Sequence, residues 1–480
     1  MSATISNPFI VQVVAAPPPS SPGSTPVPVA EPLWLKGVPL FHWIDIPNSV
    51  MLTTEATKGL DPGYMASIFA GTSQATPSRT NHLIVWPQNK LGLQQVGANQ
   101  EYSYYNLHYT YASIGYDSGR YSGRPANMLV GMGDAHWPDN SVPRFVFGVD
   151  KPYWEIAVQG THARNYRNQV VHSALEDPAF GAVLPSTDDP RWYRHFDGSP
   201  RPGHSYFGIW VLERDKLLVK VGAHQFYPVD VGYQPDMVVG DLSTGKWNTQ
   251  NPSPLPSYTT AGLERGDETP WKTKHPITED IWGVYNSRMG VFRRAPRRWE
   301  ALWNDPTGYA WDNAVGAVDW EHEYILGCSF YALTSERTWW TFPTVGANPT
   351  RLQVSIAGPY AHVLNQENVR YAPYRAPKAE GMLWCPDLQK FMWYRETVAA
   401  DPKGNPPYEG FAGNAIYTLE RQNSGVFYVD RLNTSGTLEG VPYSGPAQGG
   451  ILNRFQYCHS LKGVFWRPSD WDPVKFMKTG

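Results

Sequence analysis

The stretch Met237-Val-Val-Gly-Asp-Leu-Ser-Thr-Gly-Lys-Trp247 predicts a strand, a tight turn and a further strand that carries a tryptophan. The β-branched pair suits an extended backbone, and Asp241 to Gly245 is rich in turn-forming residues. A second apolar run, Lys216-Leu-Leu-Val-Lys-Val-Gly222, precedes this stretch and predicts a partner strand. Together they predict an antiparallel sheet whose tryptophan packs between neighbouring sheets.

Similar units recur along the chain, each with a hydrophobic strand, a turn and a strand that carries a large aromatic residue. The aromatic positions that mark them are Trp43, Trp154, Trp247, Trp299, Trp340 and Phe427. Such repeats indicate a β-propeller, in which each blade buries its faces only by stacking on its neighbours. The units predict six four-stranded blades, or seven if residues 64–104 form a degenerate blade.

The two ends of the repeat region supply the strands of the last blade. Residues 38–52 contain one short strand with a tryptophan, and residues 450–478 contain two or three strands. Pairing these segments would close the ring and remove its free edges. We therefore predict one β-propeller over residues 33–480.

Composition supports an all-β fold and excludes some classes of partner. The 480 residues include 20 Trp, 43 Gly and 44 Pro, and only 17% are charged, which favours turn-dense sheets over long helices. Forty Lys and Arg against 43 Asp and Glu give a net charge of −3, so nothing predicts nucleic-acid or membrane-surface binding. Three widely separated cysteines predict buried thiols rather than disulfides or a metal site.

Residues 1–32 differ from the remainder of the chain. The hydrophobic residues Phe9, Ile10, Val11, Val13 and Val14 predict one short extended strand. Residues 17–32 are dense in Pro, Ser and Val, which favours a semi-rigid extended spacer. We interpret the segment as a tether to a neighbouring subunit. With no basic residue before Lys36 and no apolar run near the length of a bilayer span, we expect neither a signal peptide nor a membrane anchor.

The turn Asp241–Trp247, the stretch Arg201-Pro-Gly-His-Ser-Tyr206 and the ending Arg454-Phe-Gln-Tyr…Leu-Lys-Gly-Val-Phe465 resemble kelch-type β-propellers. That superfamily includes the galactose-oxidase catalytic domain, and the resemblance covers roughly residues 34–478. The Trp43-Ile-Asp-Ile-Pro47 opening is also similar to bacterial and phage-encoded propellers. In those proteins the first blade often carries a Gly-Gly-His-Gly-Asp run. Here Asp134 stands where the histidine is expected.

The resemblance raises one enzymatic alternative, a copper-radical oxidase with two His, two Tyr and a Cys cross-linked to one Tyr. The candidates are His136, His204, His275 and Tyr206, but all three cysteines lie in the C-terminal third, whereas the family's cross-linked cysteine belongs to an early blade. Glycoside hydrolysis would need two facing carboxylates. The acidic residues Asp134, Asp139, Glu264 and Asp267 show no spacing that links them. We therefore expect no catalytic centre, metal or cofactor.

The remaining interpretation is an interaction scaffold. A tether, a rigid disc and abundant Tyr and Trp suit a tail or tail-associated bacteriophage component, acting in assembly or host attachment, with capsid decoration as a variant. Its partners would be other virion subunits and host-surface glycan or protein. A carbohydrate-binding or copper-oxidase propeller and a soluble bacterial kelch adaptor remain alternatives. Arg293, Arg294, Arg297 and Arg298 form an exposed basic cluster in this interpretation, either solvated or in contact with an acidic subunit.

Deleting residues 1–32 tests the tether. We expect the shortened chain to keep its melting temperature in differential scanning calorimetry but to lose assembly in size-exclusion chromatography with light scattering. Unchanged assembly would contradict the tether. A large fall in melting temperature would mean that the segment belongs to the fold.

Overall fold

The fold is all-β in a computed structural model that describes eighteen segments of the chain. They are residues 30–49, 113–130, 142–158, 198–200, 208–225, 232–234, 237–250, 253–263, 271–285, 288–304, 314–331, 336–346, 349–365, 380–395, 415–423, 425–438, 453–468 and 473–480. The predicted tether strand at Phe9–Val14 and the region 64–104 lie outside these segments.

Twenty-seven short strands make up most of the described chain. In chain order they are β1 (His42–Asp45), β2 (Ile114–Asp117), β3 (Asn127–Val130), β4 (Val142–Val146), β5 (Tyr153–Val158), β6 (Ile209–Leu212), β7 (Leu217–Lys220), β8 (Ala223–Gln225), β9 (Gly232–Gln234), β10 (Val238–Asp241), β11 (Lys246–Trp247), β12 (Lys272–Lys274), β13 (Ile281–Tyr285), β14 (Arg288–Arg293), β15 (Arg298–Asn304), β16 (Ala314–Asp319), β17 (Tyr324–Tyr331), β18 (Glu336–Pro343), β19 (Leu352–Ala357), β20 (Glu380–Cys385), β21 (Lys390–Arg395), β22 (Ile416–Asn423), β23 (Val426–Leu432), β24 (Ser435–Gly436), β25 (Phe455–Cys458), β26 (Gly463–Trp466) and β27 (Lys475–Lys478).

Helical structure in the described segments is limited to short turns. Two 3-10 helices span Leu33–Leu35 and Tyr258–Ala261, and one short helix, α1, spans Ala361–Asn365. None of these described helices is long and apolar enough to cross a bilayer.

The strands form four-stranded antiparallel units. Unit I is β2–β5, unit II is β6, β7, β10 and β11, and unit III is β12–β15. Unit IV (β16–β19) and unit V (β20–β23) are the halves of an eight-stranded sheet, and unit VI combines β25–β27 with β1. In unit VI the antiparallel register places Trp43 opposite Met477 and Asp45 opposite Lys475, so residues from both ends of the described chain share one sheet.

Two parallel pairings connect units IV, V and VI at their outer strands. Strand β19 pairs with β23, with Ser355 opposite Val426 and Ala357 opposite Tyr428. Strand β24 continues the chain beyond β23 and pairs with β1 through His42 and Ser435. The outer strands of these three units therefore share backbone hydrogen bonds.

A buried hydrophobic cluster lies at each junction between consecutive units, including the junction between unit VI and unit I. Each marker tryptophan belongs to a different one of these clusters. Trp154 lies between units VI and I, Trp247 between I and II, Trp299 between II and III, Trp340 between III and IV, and Trp43 between V and VI. Phe427 lies in the remaining cluster, between units IV and V. The core is thus distributed around the ring.

Trp340 differs from the other markers because it lies in β18, the third strand of its unit, rather than in the outermost strand. Its ring lies over Gly327 of β17, and a Cβ added to that glycine would approach the ring to 2.2 Å. The same ring packs edge-on against Trp271 of the preceding unit, with centroids 5.9 Å apart. Gly327 therefore makes room for the side chain that joins units III and IV.

Replacing this glycine, Gly327→Ala, should destabilise the fold by about 1–3 kcal/mol, because the added methyl group forces the Trp340 ring away from Trp271. Urea denaturation followed by tryptophan fluorescence measures the free energy of unfolding. Thr338→Ala in the same strand pair is the control, with an expected change below about 0.5 kcal/mol. Equal stability of the two variants would contradict the assigned packing.

Candidate functional site

The candidate site is a cavity at the centre of the ring. Every unit contributes residues from its innermost strand to the lining, namely from β2, β6, β12, β16, β20 and β25. The cavity has a volume of about 100 Å³. Because each innermost strand pairs on one side only, the backbone groups of its other edge need partners from elsewhere.

At the amino-terminal ends of the innermost strands, side chains of other units provide those partners. The buried amide of Asn453, in unit VI, accepts from Ile114 N at 3.0 Å and donates to Ile114 O at 2.8 Å. It also donates to Ile209 O at 3.2 Å, and Ile209 N donates to the hydroxyl of Ser113 at 2.9 Å. One side chain therefore joins units VI, I and II at a buried end of the cavity.

The carboxyl-terminal ends of the innermost strands carry charged side chains. Glu213, after β6, accepts hydrogen bonds from Ser118 N at 3.0 Å and from Ser118 Oγ at 2.7 Å. Lys274 of β12 donates to Val211 O at 2.6 Å and lies 3.8 Å from the Glu213 carboxylate. Burial raises the pKa of Glu213, and the nearby Lys274 opposes this shift. These contacts join units I, II and III around one end of the cavity.

Glu279 repeats this bridging role one unit further on. It lies in the turn between β12 and β13 with a left-handed backbone, φ 62°, and its fully buried carboxylate accepts from the backbone N–H groups of Glu213 and Arg214. Arg294 Nε lies 3.5 Å from the same carboxylate. Burial raises the pKa of Glu279 to about 7, against the lowering effect of Lys274. A carboxyl group that titrates near neutral pH thus joins units II and III.

Four aromatic side chains from units IV, V and VI gather at the same end of the cavity. The ring of Trp320 lies 4.8 Å from His459, 6.4 Å from Tyr457 and 6.5 Å from Trp384, measured between centroids. Tyr457 donates its hydroxyl to Asp387 at 2.8 Å. Trp320 and His459 stay partly exposed, whereas Tyr457 and Trp384 are buried. The carboxyl-terminal end of the cavity, which we call the mouth, therefore has one charged side and one aromatic side.

The imidazole of His459 is neutral in this setting. Burial among protein atoms, together with the positive charges of Arg120 and Lys274, lowers its pKa to about 3. Its side chain is nevertheless partly exposed, because it faces the cavity rather than being packed on all sides. At neutral pH the ring can therefore donate one hydrogen bond and accept another at the mouth.

The three cysteines are buried and free, as the sequence predicts. Cys458 accepts a hydrogen bond from the hydroxyl of Tyr116 at 3.1 Å, and burial raises the pKa of both groups. His275, one of the predicted copper ligands, has a structural role, since its Nδ1 accepts from Ile277 N and Thr278 N. The described part of the chain contains no group of three His, Cys, Asp or Glu residues that could hold a metal ion.

Several predicted site residues fall outside the described segments. They are Asp134, His136, Asp139, His204, Tyr206, Glu264 and Asp267.

The four arginines of the predicted basic cluster differ from one another in exposure. Arg293 bonds Asp280 and Glu300, and Arg294 pairs with Asp215 and Glu279, so both are largely buried. Arg297 and Arg298 are the exposed pair, with 48% and 65% of their side chains accessible. The prediction of an exposed cluster is wrong for Arg293 and Arg294, because neighbouring carboxylates, among them Asp215 of unit II, bind those guanidinium groups.

None of the residues of the mouth is marked by a motif in the sequence. Arg120, Glu213, Lys274, Trp320 and His459 are scattered over the whole chain. They share one position in the repeat, at or just after the end of the first strand of a unit. An alignment of the units on that strand would have placed Glu213, Trp320 and His459 in one column and the other two within two positions of it.

No protein-family model and no curated protein matches the sequence. Among solved structures, the chain is similar to YjhT, with 9% identity, a TM-score of 0.33, and coverage of 70% of this chain and 99% of that one. It is also similar to a fungal alcohol oxidase in complex with copper, with 9% identity, a TM-score of 0.37, and coverage of 77% and 63%. A third is the β-propeller domain of the Trilobed protease from Pyrococcus furiosus, with 11% identity, a TM-score of 0.25, and coverage of 53% and 60%. At these TM-scores none of them bears on the site.

The buried carboxyl group of Glu279 predicts a pH dependence of stability. Its pKa in the folded chain, about 7, exceeds that of an exposed glutamate, so the folded state retains a proton that the unfolded chain has released. Between about pH 5 and about pH 7 this group makes the chain less stable as the pH rises. In the Glu279→Gln variant the free energy of unfolding should fall less over this pH range than in the unchanged chain, with a difference of at most about 3 kcal/mol.

Urea denaturation across this pH range measures the effect. Glu420→Gln is the control, since Glu420 lies at the surface and pairs with Lys390. A pH dependence that is equal in Glu279→Gln and in the unchanged chain would contradict the assignment.

Proposed function

We propose that this chain is a non-catalytic interaction propeller of six blades that recognises its partner at the mouth of the central cavity. Six innermost strands that line one cavity and six clusters that join consecutive units support the blade number. The main support for recognition is the asymmetry of the cavity: Asn453 occupies a buried end, whereas partly exposed Trp320 and His459 lie at the other.

The groups at the mouth suit binding better than catalysis. Glu213, the carboxylate there, is already engaged by Ser118 and lies next to Lys274. Tyr457 and Trp384 are engaged as well, by Asp387 and Glu321. Side chains with fixed partners form a preorganised surface, and preorganisation reduces the entropic cost of binding.

The biological setting that we propose is a bacteriophage virion, in a tail or tail-associated position, with assembly or host attachment as the role. Its support comes from the sequence, in the Pro-rich segment 1–32 and the resemblance to phage-encoded propellers. In this setting residues 1–32 bind the particle, and the mouth faces the host surface.

A copper oxidase is the second candidate, and one contact favours it. Tyr116 and Cys458 lie in hydrogen-bonding contact beside the cavity, and that chemistry requires a tyrosine next to a cysteine. Elemental analysis of protein purified after growth with copper separates the candidates. Stoichiometric copper would favour the oxidase over the interaction propeller.

The virion role is tested with particles that carry His459→Ala. We expect quantitative mass spectrometry to find the chain at the same fixed copy number in variant and unchanged particles. Adsorption to host cells should fall about tenfold, because the imidazole contributes at the mouth. His362→Ala, an exposed histidine of α1, is the control and should adsorb normally.

The copy number tests the virion role, and adsorption tests recognition at the mouth. Absence of the chain from purified particles would contradict the virion role. Normal adsorption of His459→Ala particles at full copy number would contradict recognition at the mouth.

A further inference from the structure

The mouth has a local excess of positive charge on the side that faces His459. Arg120 and Lys274 both act on that imidazole, and Glu213 lies 3.8 Å from the Lys274 amine. The nearest acidic groups have partners of their own. Glu213 is bound by Ser118 and Tyr121 N, and Asp117 is bound by Gly119 N, Ser122 and Asn127.

Other charged groups near the mouth are paired further from the cavity. The carboxylate of Glu279 lies between Arg214 and Arg294, at 3.9 and 3.5 Å from their Nε atoms. Asp319 binds His322, with a separation of 2.8 Å. Arg120 and Lys274 are the cations whose charge acts on His459, and of these two Lys274 lies near the Glu213 carboxylate.

Two lining residues retain hydrogen-bond donors without partners among the described residues. They are Nε of Arg120 and Nε1 of Trp210, and both atoms are shielded from solvent. An unpaired buried donor costs roughly 1–3 kcal/mol unless an acceptor is supplied. A guanidinium group preferentially binds a planar anion with two oxygen atoms, because its N–H groups can donate to both oxygens.

The size of the cavity limits what part of a ligand can enter. A cavity of about 150 Å³ holds one benzene molecule. The present volume of about 100 Å³ therefore suits a group of roughly four heavy atoms, such as a carboxylate and the carbon next to it. Beside the cavity, the partly exposed ring of Trp320 offers an apolar surface for the carbon atoms of the ligand that remain outside it.

From these observations we propose that the mouth binds the carboxylate of a small organic acid, with Arg120 as the anion-binding residue. His459 donates a hydrogen bond to the second carboxylate oxygen, and Trp320 packs against the carbon atoms next to it. Lys274 contributes charge without direct contact, since its amine donates to Val211 O. This inference rests on the proposed recognition at the mouth and specifies the chemical class of its ligand.

The test compares propionate with propionamide, which have the same number of heavy atoms and nearly the same shape. Isothermal titration calorimetry or saturation-transfer NMR on the purified full-length chain should show binding of propionate and at least about tenfold weaker binding of the amide. Arg120→Gln should weaken propionate binding by about the same factor. Arg298→Gln, which changes an exposed arginine of unit III away from the mouth, is the matched control and should bind normally.

The outcomes are distinct even if a variant is unstable. Equal affinity of the unchanged chain for the two probes, or no binding of either, would overturn the proposal without any variant. Unchanged propionate affinity in a folded Arg120→Gln chain would overturn the role of Arg120. Loss of adsorption in His459→Ala particles, together with no preference for propionate, would leave recognition at the mouth intact and exclude only this ligand class.

Discussion

A four-stranded antiparallel sheet has two faces, and a single unit of this chain cannot remove both from water. The clusters at the junctions solve this problem, since every buried aromatic residue that marks a unit packs against the preceding unit. Burial of such side chains contributes on the order of 2–3 kcal/mol each, and here that contribution exists only when two units are in contact. The stability of any unit therefore depends on its neighbours, and the junction between units VI and I is needed as much as the others. Two tryptophans bury their rings at the two faces of unit VI. Trp43 of unit VI packs against unit V, and Trp154 of unit I packs against unit VI.

Closure of the ring creates a second requirement at its centre. Six innermost strands present backbone groups that no further strand can pair. Side chains complete these bonds at the amino-terminal ends, where Asn453 joins three units. At the carboxyl-terminal ends, turn residues such as Glu213 and Glu279 bind the backbone of the preceding unit instead. Glu213 and Lys274 therefore both join units at this end and contribute to the charge of the mouth.

The sequence predicts the all-β class well, because strand patterns and turn chemistry are local properties. Asp241–Gly245 forms the predicted turn, and Val238–Asp241 pairs with the predicted partner strand. The mouth could not be predicted in the same way, since its residues come from all six units and only the closed ring brings them together. Arg293 and Arg294 illustrate a second limit. Their charge suggests exposure, but both pair with carboxylates. Arg294 pairs with Asp215, 79 positions away in sequence, and with Glu279, 15 positions away, whereas Arg293 pairs with Asp280 and Glu300. Contacts of this kind depend on the packing of units and not on local composition.

The parallel pairing of β19 with β23, and of β24 with β1, divides the ring into mechanically different halves. In units IV to VI the rim is continuous through backbone hydrogen bonds, which resist shear along the strand direction. In the described parts of units I to III, the sheets meet through side chains alone. Under an applied load the first half behaves as one stiff plate, and deformation concentrates in the second. Arg120, Glu213 and Lys274 belong to the compliant half, whereas Trp320 and His459 belong to the stiff plate. We therefore expect strain to change the geometry of the charged side of the mouth more than that of the aromatic side.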